Sequence, residues 1–218
     1  MTGLTLDINN KRLLNTALIL SFITIFYNLL EGGVSVFFGF ADDALSLLGF
    51  GIDSFVEVLS GIGVAHMILR MRYSSVTSRD EIERFTLKVT GISFYILTAG
   101  LVAGSIMNII RHVKPDTTLP GIIVSSISII TMYILMKYKL NVGTKLKSDA
   151  IIADAHCTKT CFNLSIILLI SSLLYMFFRI SYIDILGSLG IAYYAFREGT
   201  ESIEKSSSQN LSCECDDD

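Results

Sequence analysis

Six apolar segments separated by short polar clusters set the pattern of this chain: roughly 13–40, 44–69, 85–110, 119–136, 150–178 and 182–196. The first five are each long enough, as helices, to cross a hydrocarbon layer about 30 Å thick. The sixth is shorter and amphipathic: it opens on Asp184 and passes into Arg197, Glu198, Glu201 and Glu204, which makes it the least span-like. Pro115 and Pro120 bracket the third connection, where a helix-breaking turn is wanted. The expected fold is an all-α membrane protein with six transmembrane helices.

Composition agrees. At 218 residues, 51% of them hydrophobic, and a mean hydropathy of +0.59, the chain is too apolar for a soluble domain of this size. The first ten residues include Asp7 and lack a basic start with a short apolar core, so no removable signal peptide is expected and the first span serves as its own anchor. Basic residues gather at Lys11 and Arg12, at Arg70, Arg72, Arg79, Arg84 and Lys88, at Lys137, Lys139, Lys145 and Lys147 in the expected fourth connection, and at Arg197 and Lys205. The opposite side holds Asp42 and Asp43, then only Arg111, Lys114 and Arg179. The positive-inside rule therefore places both termini in the cytoplasm. Residues 1–205 form one transmembrane domain, and 206–218 an acidic disordered tail. No basic surface suited to nucleic acid is present in the pattern. The expected location is an integral, multi-pass position in the bilayer, the cell (inner) membrane if the source is prokaryotic.

Within the second segment, Asp53 and Glu57 stand four residues apart, on one helical face and about 6 Å apart along the axis. Carboxylates at that depth are costly, no Lys or Arg shares the segment, and intramembrane acids mark ion or substrate pathways. The fifth segment repeats the spacing with Cys157 and Cys161. Two carboxylates and two thiolates can build a four-coordinate site for zinc or a softer metal. With helices of opposite direction, Asp53 lies roughly 14 Å from the outer end of its span and Cys157 roughly 10 Å from the inner end of its own, so both pairs fall near the midplane.

Other residues carry two readings each. Cys157 and Cys161 are equally well read as small buried hydrophobes, and a disulfide between adjacent turns of one helix is geometrically awkward. Asp154 precedes the cysteines at helical spacing and completes a polar stripe that reads as an access path from the cytoplasm. His156 points about 100° and Lys159 about 200° away from that stripe, so both read as lining or packing residues near the cytoplasmic side, with His156 as a ligand the lesser alternative. Asn28 and Glu31 in the first segment fit a supporting shell or gate, or an interhelical hydrogen bond. His66 reads as interfacial. Gly100 and Gly104 form a G-x-x-x-G pair that permits close helix approach, and Cys213 and Cys215 sit in a tail that either captures a soft cation or is simply solvated.

Gly49-Phe-Gly-Ile-Asp-Ser-Phe-Val-Glu-Val-Leu-Ser-Gly61 and Ala153-Asp-Ala-His-Cys-Thr-Lys-Thr-Cys-Phe-Asn-Leu-Ser165 together resemble the cation diffusion facilitator superfamily of metal/proton antiporters. The resemblance places Asp53, Glu57, Cys157 and Cys161 on the family's four ligand positions, with cysteines where His and Asp are usual. The stretch from Asp184 to Tyr193 looks like the sixth helix of that family, and Asp184 joins Asn28, Glu31, Asp154 and His156 as pathway or supporting residues. The chain stops soon after the sixth segment and has no histidine-rich loop. In this, and in Tyr27-Asn-Leu-Leu-Glu-Gly32, it looks like the compact branch without a cytoplasmic C-terminal domain, related to vertebrate synaptic-vesicle zinc transporters.

The resulting expectation is not an enzyme but a homodimeric divalent-metal transporter, moving zinc or a softer ion out of the cytoplasm in exchange for protons, with no cofactor besides its cargo. Binding requires thiols and carboxylates to lose protons, so metal and protons exclude each other at one site. Two other classes use the same residues: a membrane metal sensor that binds without translocation, and a membrane thiol oxidoreductase built on Cys157 and Cys161. No phosphate-cradling loop or nucleophile-base set points to hydrolase or nucleotide chemistry.

Overall fold

Each apolar segment is an α-helix: α1 (Thr2–Ala41), α2 (Leu45–Tyr73), α3 (Arg79–Arg111), α4 (Leu119–Leu146), α5 (Asp149–Phe178) and α6 (Tyr182–Ser207). The structure, a computed structural model, describes residues 2–73, 79–111, 115, 118–146, 148–180 and 182–207. Lys114, Lys147, Cys213 and Cys215 lie outside them. Among the described residues, five helices, α1 to α5, contain a stretch long and apolar enough to span a membrane. The sixth continues well past the expected end at 196, and its polar final turns keep it from meeting that measure.

Helices α2 and α5 sit at the centre of the packing. α1 packs on α2, α4 on α5 and α1 on α4, while α3 pairs with α6, and α6 touches both α2 and α5. Short connections make sequence neighbours antiparallel. The α1–α2 turn is tight: Asp42 donates its amide to the Phe38 carbonyl at 2.9 Å, and Asp43 takes a left-handed backbone with φ 52°. Pro120 stands in the first turn of α4, where its missing N–H is harmless. The Pro115 carbonyl accepts the Tyr175 hydroxyl at 2.7 Å, tying the third connection to the end of α5.

The distribution of side chains is the reverse of a soluble protein. Phe22, Phe26, Phe37, Phe40, Ile96, Ile110, Ile130 and Phe177 are exposed, whereas Ser21, Thr24, Asn28, Glu31 and Ser35 form a buried polar stripe along α1. Lipid solvates the apolar exterior, and polar groups retreat to where other helices can satisfy them. Thr98 reaches the Ala192 carbonyl at 3.3 Å and Ser105 meets Ser188 at 2.9 Å across α3–α6, while Ser165 donates to Ser128 at 2.8 Å across α4–α5.

Small residues let the backbones close. A Cβ on Gly51 would fall 2.8 Å from both the Ser35 Cβ and the Val36 backbone nitrogen, and one on Gly39 would fall 2.7 Å from the Leu48 backbone nitrogen. The G-x-x-x-G pair of α3 is divided: Gly104 packs against Leu45 of the same chain, and Gly100 has open space in front of it.

The fourth connection departs from expectation. Lys137, Lys139 and Lys145 are not loop residues, because α4 runs on to Leu146. Lys137 covers the ring of Tyr133 with its ammonium 4.6 Å from the centroid. Lys139 turns inward.

Candidate metal site

Acidic and thiol side chains of the expected set lie on α2 and α5, which pack on each other. Asp53, Glu57 and Cys161 are buried, and the Cys161 thiol interacts electrostatically with both carboxylates. The helices run antiparallel here, so successive contacts step in opposite directions: Glu57 meets Thr158, and Ser60, one turn further along α2, meets Cys157. Cys157 is partly buried, with Ser60 Oγ 3.7 Å from its sulfur. Both thiols are free. Among the described residues no three His, Cys, Asp or Glu side chains are gathered tightly enough to hold an ion as they stand.

Glu57 has partners of another kind. Thr158 donates its hydroxyl to Glu57 Oε1 at 2.7 Å and accepts Lys139 Nζ at 2.8 Å. Lys139 in turn pairs with Asp154 Oδ2 at 2.9 Å, both side chains being 1% exposed. A continuous relay therefore runs from Asp154 through Lys139 and Thr158 to Glu57. Glu57 Oε2 and Asp154 Oδ1 are buried without a hydrogen-bond partner among the described residues. A cation-binding site wants such oxygens, since an unpartnered buried carboxylate oxygen is otherwise a cost. The donor set present, carboxylate oxygen and thiol sulfur, suits zinc or softer divalent ions.

Lys139 and Thr158 were not among the residues singled out from sequence. Thr158 sits beside Cys157 and reads as part of a helix flank. Lys139 reads as a base at the end of an apolar run, yet a signal was present: Gly121, Ser125, Ser128, Met132, Leu135, Lys139 and Val142 alternate four-residue and three-residue steps, and all are buried. Asp154, expected to line an open path, is closed off by this lysine.

Glu31 of α1 stands above the acids. It accepts the Tyr27 hydroxyl on Oε1 at 2.9 Å and the Ser54 hydroxyl on Oε2 at 3.1 Å, which binds α1 to the turn of α2 that carries Asp53. Asn28, one turn away, donates to the Thr24 carbonyl at 3.0 Å and keeps its Oδ1 buried and unpartnered among the described residues. His156 faces elsewhere, its charged neighbours being Lys159, Glu201 and Lys205. His66 is exposed. Asp184 has structural partners: its carboxylate accepts the Leu45 amide at 2.9 Å, the Ser46 amide at 3.3 Å and the Ser46 hydroxyl, all from the first turn of α2. Those bonds satisfy orphan amides of α2, as an N-cap residue would, from a helix distant in sequence.

No curated protein matches the sequence significantly. Residues 18–209 match the family model described as the cation efflux transmembrane domain. With nearly the whole chain covered, apolar helices of spanning length and buried acids at their centre, this integral, multi-pass membrane protein belongs to the cation efflux family, whose members are metal-cation transporters.

Proposed function

We propose that the chain exports zinc or a softer divalent cation from the cytoplasm in exchange for protons, with Asp53, Glu57, Cys157 and Cys161 as the cargo ligands. The observation that carries this reading is the burial of Asp53 and Glu57 on α2 and of Cys161 on α5, two helices packed on each other, with Glu57 Oε2 unpartnered among the described residues. Acceptor-rich, donor-poor and water-excluded, that group of atoms is suited to a cation. Thiols and carboxylates bind metal only after losing protons, which supplies the coupling.

Cargo binding on this reading draws Cys157 away from Ser60 and engages Glu57 through its unpartnered Oε2, closing the α2–α5 seam around the ion. Release reverses the movement as helix pairs rock about the midplane. Glu31, bonded to Ser54 next to Asp53, and Asp154, linked to Glu57 through Lys139 and Thr158, support the site on this reading. Both termini lie in the cytoplasm, following the bias of Lys and Arg, and the working unit is a homodimer.

The test is zinc uptake into proteoliposomes with an imposed pH gradient. Asp53→Ala or Cys161→Ala abolishes uptake while the protein inserts and folds. Wild-type uptake in either variant overturns the ligand assignment, and zinc binding without any flux by the unmodified protein assigns it to sensing instead.

A further inference from the structure

A lysine buried at membrane depth beside a cation site needs a reason. Burying the Lys139–Asp154 pair does little for stability, because taking both charges out of water offsets most of their attraction. Charged residues inside a membrane bundle mark the pathway of an ion. The pair is also incompletely satisfied: Asp154 Oδ1 and Glu57 Oε2 are both without hydrogen-bond partners among the described residues. Lys139 is directed at Glu57 as well as at Asp154, since Thr158 carries its hydrogen bond onward to Glu57 Oε1.

We propose that Lys139 is the resident counter-cation of the transport site: its ammonium group, anchored by Asp154 and joined to Glu57 through Thr158, competes with the cargo for Glu57 and sets how tightly the site holds a divalent ion. This rests on the ligand assignment proposed above. Once the site has lost its protons and before cargo arrives, the lysine offsets part of the negative charge of the carboxylates in a medium that tolerates charge poorly. An arriving divalent ion takes Glu57 Oε2, and the positive charge behind Oε1 weakens its hold. Release on the far side is correspondingly faster. Lys139 is thus a positioning and affinity-setting residue, not a ligand.

The sign of one measurement separates this role from a scaffolding one. Loss of a scaffold weakens metal binding; loss of a competing cation strengthens it. The full chain, purified in detergent, is titrated with Zn²⁺ against a fluorescent chelator, and the same proteins are reconstituted for initial rates. Lys139→Met is expected to bind Zn²⁺ tighter by at least about tenfold, a small part of the bare Coulomb repulsion between a unit charge and a doubly charged ion several ångströms away, because Asp154 screens most of the lysine's charge. Its transport KM and kcat fall together, because release slows. Lys139→Met combined with Asp154→Asn leaves no uncompensated buried charge, and shifts affinity in the same direction by a smaller factor; it carries the test where the single variant does not fold. Unchanged or weaker Zn²⁺ binding in a folded variant overturns the proposal. Asp53→Ala, measured alongside, keeps the two readings apart: loss of binding there with no tightening at Lys139 sinks the counter-cation alone, whereas wild-type binding in Asp53→Ala sinks the ligand assignment beneath it.

Discussion

Asp184 of α6 holds the first turn of α2 by accepting the Ser46 hydroxyl together with the amides of Leu45 and Ser46. The contact joins helices separated by most of the chain and sets the start of the helix that carries Asp53 and Glu57. Two of the four orphan amides at that helix end are satisfied by it.

Removing the carboxylate therefore acts on stability first. Asp184→Ala strands both amides and the hydroxyl, at a cost of about 1–3 kcal/mol. Thermal unfolding in detergent, followed by helical circular dichroism, checks the loss. Asp184→Asn, which retains one acceptor oxygen, falls between the two. If Asp184→Ala melts like the unmodified protein, the α6–α2 contact contributes nothing to stability.

The α1–α2 seam provides a sharper contrast between two glycines on neighbouring helices. A methyl on Gly51 meets the Val36 backbone nitrogen at 2.8 Å, whereas nothing lies within 4 Å of one on Gly33. Gly51→Ala should cost about 1–3 kcal/mol through overpacking, and should disturb cargo binding because Gly51 lies in the turn before Asp53. Gly33→Ala should be neutral, or stabilising by up to about 1 kcal/mol from helix propensity alone. Parallel melting curves of the two variants decide it, and equal effects would mean that the seam is not close-packed.

Metal choice is set by the thiol pair on the proposed reading. Sulfur favours soft and borderline cations, while nitrogen and oxygen widen acceptance towards manganese, iron and cobalt. Replacing Cys157 by His and Cys161 by Asp should keep zinc transport and lose the preference for cadmium over harder ions. Initial rates for several metals at matched free concentrations, in one proteoliposome preparation and pH gradient, test it. An unchanged ranking makes the cysteines packing residues.

Hydropathy and spacing alone determine that this chain enters a membrane as apolar helices, and that Asp53 with Glu57 and Cys157 with Cys161 each share a helix face. These are local properties: helix length follows from the apolar run, and facing follows from 3.6 residues per turn. Helix ends were harder, because lysines at the close of an apolar run read equally as loop bases or as the last helical turns, and α4 takes the second course through Lys139 to Leu146. Which faces meet is decided only in three dimensions. Lys139 finds Asp154 and Thr158 because the buried stripe of α4 packs on α5, and Thr158 finds Glu57 because α5 crosses α2 in antiparallel register. Asp184, read from the resemblance only as a pathway or supporting residue, caps the start of α2, where free amides needed an acceptor. A buried charge takes the partner that packing brings within about 3 Å, and no linear spacing encodes that distance.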